Sequence, residues 1–141
     1  MTTSFPSGVE EALRNDLYLR LDPAEAESAF RKMGVRPGTL FREFYRTFTG
    51  GYYSNRVGRL LLDVGQGTPT VVDQTVVARK EFGLPAKFLV LTELEAGSVL
   101  VYDCEMDVVF LVDFEGSDEQ LIVGTLKPDW SSFKSFLDDF F

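Results

Sequence analysis

Histidine is absent from this chain, and with it goes a large block of chemistry. Ser-His-Asp and Cys-His catalysis, histidine–metal sites and imidazole pH switches all require that side chain. There is a single cysteine, Cys104, which excludes an internal disulfide and an all-cysteine zinc site. No apolar run approaches the roughly 20 residues of a membrane-spanning helix. Met1 to Glu11 has neither a basic n-region nor an apolar h-region, so it does not read as a signal peptide, and cytoplasm is the expected compartment. What is present is 141 residues, 45% apolar and 26% charged. That is the composition and length of one soluble domain, able to fold without a disulfide or metal staple.

Basic residues are scarce in one half only. The first 92 residues carry 12 basic and 10 acidic side chains. From Glu93 to the end there are 12 acidic residues against two lysines, Lys127 and Lys134. The whole chain has a net charge of −8, and this second part alone accounts for −10. Such a surface repels nucleic-acid phosphates. It attracts cations or a basic protein and accelerates their encounter. The competing reading is solubility alone.

The hydrophobic pattern divides into a helical first half and a strand-rich second half. Val9, Ala12, Leu13 and Leu17 recur at helical spacing. Asp22-Pro23-Ala24-Glu25 reads as a helix start, with Asp22 as N-cap and Glu25 as its reciprocal acceptor, and Gly34 as the stop. Leu40, Phe41, Phe44, Tyr45 and Phe48 predict an amphipathic helix whose end is set by Gly50-Gly51. Its aromatic stripe reads as core rather than as a cofactor site. Arg59 to Val64 reads as a buried strand, and Asp73 as the cap of a helix running to about Phe82. Lys87–Thr92, Ser98–Cys104 and Val108–Asp113 read as three strands, the last two a hairpin closed by Glu105-Met106-Asp107. Glu115–Glu119 is expected to be an acidic loop, Leu121–Leu126 a short strand or extended arm, and Asp129 the cap of a closing helix. The order predicts an α+β fold in a single domain spanning 1–141.

Local motifs do not identify a reaction. Asp103-Cys104-Glu105-Met106-Asp107 starts like a calcium loop, but Val108 and Phe114 stand where glycine and glutamate are required. Gly65-Gln66-Gly67 lacks the third glycine of a dinucleotide loop, and there is no Gly-Lys-Ser/Thr phosphate loop. Cys104 reads as a small buried hydrophobe. Arg42, Arg46, Arg56 and Arg59, interleaved with Tyr45, Tyr52 and Tyr53, have the ingredients of a nucleic-acid patch, yet the net charge favours a solvated face. A carboxylate pair acting alone, as in glycoside hydrolysis, remains as an enzymatic alternative.

The order of the signals resembles one known family. Pro37-Gly38-Thr39-Leu40-Phe41-Arg42-Glu43-Phe44-Tyr45-Arg46-Thr47-Phe48-Thr49-Gly50-Gly51 is similar to the hallmark of the SUKH superfamily, which includes the fungal Smi/Knr cell-wall regulators. Thr49 stands where that family often has asparagine. Phe82 to Leu91 resembles its step from helix into sheet, Tyr102-Asp103 with Val108–Asp113 its hairpin, and Trp130–Phe140 its closing helix. The resemblance covers about residues 20 to 141, leaving an unassigned N-terminal helix. It implies N-terminal helices, a central, largely antiparallel sheet of about six strands and a C-terminal closing helix. It also implies action by binding, with no catalytic residues, cofactor or metal. Bacterial members are mostly immunity proteins that neutralise toxins, often nucleases or deaminases. Fungal members act as scaffolds or regulators.

The charge pattern converges on the same expectation, because a toxin domain that holds phosphates is basic. The partner-binding face expected from sequence is Glu93, Glu95, Glu105, Asp107, Glu115, Asp118 and Glu119, on strand ends and loops that could share one rim. The expected partner is a cognate toxin, without nucleic acid or membrane. A scaffold or regulatory module is the alternative, and the oligomeric state is open.

Overall fold

The structure, a computed structural model, describes residues 5–14 and 17–141. The first helix, α1 (Ser7–Leu13), buries Val9 and Leu13. The helical pattern that extends to Leu17 in the sequence ends at Leu13 in the fold, and Leu17 is exposed. Residues 15 and 16, inside that expected run, lie outside the described ones. So do residues 1–4, the start of the stretch tested for a leader. Helix α2 (Ala24–Met33) begins one residue later than the sequence suggests. Pro23 is its N-cap, and Asp22 accepts from the Ala24 amide at 3.0 Å. Gly34 closes it with φ 69°, a left-handed conformation that side chains disfavour.

Helix α3 (Thr39–Thr47) buries Phe41, Phe44 and Tyr45. It ends before the glycine pair, contrary to expectation, because Phe48 turns extended and pairs with Leu19. Thr49 then donates its amide to the Tyr18 carbonyl at 2.7 Å. Gly50 and Gly51 serve close approach instead. A Cβ at Gly50 would lie 2.7 Å from the Tyr52 ring, and one at Gly51 3.0 Å from the Leu61 carbonyl oxygen.

The fold is α+β, but the single sheet of about six strands is not what forms. Two smaller antiparallel sheets take its place. One is the hairpin of β1 (Tyr52–Ser54) and β2 (Arg59–Leu61). The other joins β3 (Phe88–Val90), β4 (Ser98–Asp103) and β5 (Val108–Asp113) in that spatial order. The two meet where the Leu62 amide donates to the Leu91 carbonyl at 2.9 Å, beyond the ladders of both. The Leu121–Leu126 strand is also absent. Helix α5 (Ser117–Val123) takes its first half, with Asp118 and Glu119 in its first turn and Gly124 left-handed at its end. Acids in a first turn complement the helix dipole. A short apolar run such as Leu-Ile-Val does not distinguish helix from strand by periodicity.

Helix α4 (Val71–Phe82) lies between the sheets in sequence, and α6 (Phe133–Phe140) closes the chain. Both start in a reciprocal capping box. Thr70 with Asp73 opens α4, and Ser132 with Ser135 opens α6. Asp73 is thus the third residue of its helix rather than its cap. Asp129 is not a cap either; it accepts from the Leu111 amide at 2.7 Å, tying the segment before α6 to β5.

Strand alternation sorts the three-stranded sheet into two faces. Leu89, Leu91, Leu100, Tyr102 and Val109 join the larger core with α1, α2, α3 and α6. Phe88, Val90, Val99, Val101, Phe110 and Val112 join a second core with Ala78 of α4 and Leu121 of α5. One buried ion pair stands beside the larger core. Arg20 donates to Asp63 at 2.6 Å, to the Phe48 carbonyl at 3.0 Å, and to the Tyr45 carbonyl and Glu25. Asp63 in turn accepts from the amides of Gly50, Gly65 and Gln66. The Gly65-Gln66 amides are thereby filled by the chain's own carboxylate, which is the opposite of an open phosphate cradle.

Candidate functional site

The seven carboxylates expected to share a rim are divided between the two ends of the three-stranded sheet. The β4–β5 register sets Ser98 opposite Asp113 at one end and Asp103 opposite Val108 at the other. Five residue steps separate these ends, roughly 17 Å along a strand. Glu93 and Glu95 follow β3, the latter in a 3-10 turn (Leu94–Ala96). Glu115 follows β5, and Asp118 and Glu119 open α5. The Ser117 hydroxyl accepts from the Asp113 amide at 2.7 Å, which anchors the start of α5 to the end of β5. These five acids belong to the Ser98–Asp113 end. Glu105 and Asp107 lie in the β4–β5 turn, at the opposite end.

The two ends differ in chemistry. In the turn, Asp103 is buried, and its Oδ1 accepts from the amides of Glu105 at 2.8 Å and Met106 at 3.1 Å. Lys87 Nζ lies 3.6 Å from its other oxygen. Asp107, left-handed at φ 57°, accepts from the Tyr102 hydroxyl at 2.6 Å. That hydroxyl accepts from the Gly38 amide at 3.0 Å. Of the acids that resemble a calcium loop in sequence, Asp103 and Asp107 are therefore spent on turn construction, and Glu105 contributes its amide. Among the described residues, no three His, Cys, Asp or Glu side chains converge in a way that would hold a metal ion. Cys104 is half-buried next to this turn. Burial pushes its thiol up to about 12, Asp103 adds to the shift, and Arg79 opposes it.

At the other end the carboxylates of Glu93, Glu95, Glu115, Asp118 and Glu119 have no hydrogen-bond or ionic partner among the described residues, while Asp113 Oδ1 accepts from the Glu115 amide at 2.8 Å. Glu95, Asp113 and Glu115 edge a cleft of about 650 Å³ whose apolar lining includes Phe82, Leu94 and Phe114. The Phe82 and Phe114 rings are 4.9 Å apart, and Phe82 remains 37% exposed. Glu93 lines a smaller neighbouring hollow of about 210 Å³ beside Arg59. Phe82, Asp113 and Phe114 were not among the candidate residues from sequence. Their positions, at a helix end and a strand end, carry no local pattern that marks a site.

Ion pairing follows the same division. Glu10, Glu25, Glu27, Glu43 and Asp63 each have an arginine partner. From Glu93 onward, only Asp103 and Asp138 pair with a lysine among the described residues. The basic cluster of the first half is correspondingly consumed. Arg42 and Arg46 share Glu27, and the hydrogen bond that Arg42 donates to Glu27 raises the Arg42 pKa. Arg56 donates to the Asp138 carbonyl at 3.1 Å, and Arg59 to Ser98 Oγ at 2.6 Å. Tyr45 and Tyr52 are buried, which leaves Tyr53 alone of the three exposed. No continuous basic and aromatic patch results from these seven residues.

A scan against protein-family models finds none that matches, and a search of curated proteins returns no match. No helix among the described residues is long and apolar enough to cross a membrane.

Proposed function

We propose that this chain is a non-enzymatic immunity protein that binds and neutralises a basic, nucleic-acid-acting toxin domain, in the manner implied by its resemblance to the SUKH superfamily. The observation that carries the proposal is the contrast in pairing. Arg14, Arg20, Arg42 and Arg46 of the first half pair with its acids, while Glu93, Glu95, Glu115, Asp118 and Glu119 present carboxylates with no cation partner among the described residues at one end of the sheet. An unmatched acidic face steers a basic partner into contact and repels competing polyanions.

The test is co-expression with the toxin domain encoded beside this gene. Protection of growth is the expected result, with an association rate that falls steeply as salt rises. Changing Glu93, Glu95, Glu115 and Glu119 together to glutamine should weaken binding by at least about tenfold. Changing Glu105→Gln and Asp107→Asn at the opposite end should cost less. Unchanged affinity in the fourfold variant at low salt would remove the acidic-face reading. Failure to bind the toxin, together with binding of envelope-synthesis proteins, would favour a scaffold or regulator of the Smi/Knr type instead.

A further inference from the structure

We infer that the cleft between α4, the 3-10 turn and the β5–α5 connection is a receptor for an arginine side chain projected by the protein partner. The cleft combines two features that neither an apolar groove nor an acidic surface has alone. Its lining includes two phenylalanine rings in tilted contact, 4.9 Å apart, with Phe82 still accessible. Its edge carries Glu95 and Glu115, and Asp113, whose Oδ1 accepts from the Glu115 amide at 2.8 Å; none of the three has a lysine or arginine partner among the described residues. Arg59 donates to Oγ of the lining residue Ser98 and pairs with none of the three acids.

A guanidinium fits this arrangement better than an ammonium. Its flat face stacks on an aromatic ring while its fork of N–H donors reaches a carboxylate with two parallel bonds. Lysine offers a compact, strongly hydrated charge with no fork and loses more on leaving water. At about 650 Å³ the cleft has room for the side chain together with part of the loop that bears it. The aromatic lining would select the amphipathic stem, and the acids would hold the head at the edge, where water still screens part of its charge.

The inference rests on the binding function proposed above, but its test requires no toxin. The probe is a short peptide, blocked at both ends, with one arginine between glycines, compared with its lysine counterpart. Each is titrated into the full chain while backbone amide resonances are followed. The arginine peptide should shift the amides of Glu95, Gly97, Asp113, Phe114 and Glu115, and should bind several-fold more tightly than the lysine peptide. Glu95→Gln with Glu115→Gln should weaken it by about tenfold or more. Phe82→Ala should erase the preference for arginine while the remaining spectrum stays unchanged. Equal affinity for both peptides, shifts centred on the Glu105–Asp107 turn, or no shift at any attainable concentration would overturn the inference. Protection in cells without arginine preference would remove the cleft and keep the immunity function. Arginine preference without protection would do the reverse.

Discussion

Asp63 has both carboxylate oxygens buried and partnered, one by Arg20 and the Gly50 amide, the other by the amides of Gly65 and Gln66. Through these bonds it holds the segment after α1, the glycine pair after α3 and the loop before α4 to one another. The Asp63 side chain is 0% exposed and that of Arg20 1%, so neither charge has solvent to fall back on. Deleting one partner of such a pair leaves the other desolvated and costs about 3–5 kcal/mol. Asp63→Ala should therefore lower the urea-unfolding free energy by about that amount. A loss under about 1 kcal/mol would mean that Glu25 and the two carbonyls already satisfy Arg20. Nothing in the sequence reading singled out either residue. Asp63 is the one charge near the end of the apolar run Leu60–Val64, and a lone acid in such a run is a signal for a buried, partnered group.

At the scale of elements, periodicity located what is long and strongly patterned. The β4–β5 hairpin has its expected bounds within a residue, and α3 buries the aromatic stripe that the sequence predicts. The misreadings fall where pattern is short or a competing cap wins. Leu121–Val123 follows two acids and precedes a left-handed glycine, which together make it the end of α5 rather than a strand. Arg59–Val64 keeps only three residues in a ladder, because Leu62 turns its amide to Leu91 and Asp63 is claimed by Arg20. Asp73 was legible as a helix-start residue, but its partner Thr70 was not, so the start of α4 is displaced by one turn. That reciprocal pair gives an element-level prediction. The Thr70 hydroxyl accepts from the Asp73 amide at 3.1 Å, and Asp73 accepts from the Thr70 amide at 3.0 Å. Thr70→Ala removes the first bond and should cost about 1 kcal/mol. Thr70→Ser should restore it, and thermal unfolding of the pair of variants distinguishes loss of the cap from loss of the methyl group.

Across the whole molecule, the acidic excess of the second half was legible by counting, but its distribution was not. Counting cannot reveal that antiparallel register sends Glu105 and Asp107 to one end of the sheet and the other candidates to the opposite end. Nor can it reveal that three of the five tyrosines are buried in one continuous core. Tyr45, Tyr52 and Tyr102 all belong to the larger cluster, and burial raises the pKa of each above the ordinary phenol value. An unfolded chain releases those protons from about pH 10. The folded chain retains them, so above that pH it binds more protons than the unfolded one, and stability must fall as pH rises. The contribution is complete below pH 10 and is lost on the way up to the raised values. Three groups acting together give a slope approaching about 4 kcal/mol per pH unit. Unfolding in alkali should thus be abrupt, with the phenolate absorbance of the buried tyrosines appearing together with the loss of helical circular dichroism. Tyr52 provides the control. Its hydroxyl is buried without a hydrogen-bond partner among the described residues, so Tyr52→Phe removes an unsatisfied polar group and should leave stability at neutral pH unchanged or raised. The same substitution should flatten the alkaline slope by about one group in three. Phenolate absorbance that rises smoothly before any loss of circular dichroism would mean that the core opens to hydroxide without unfolding.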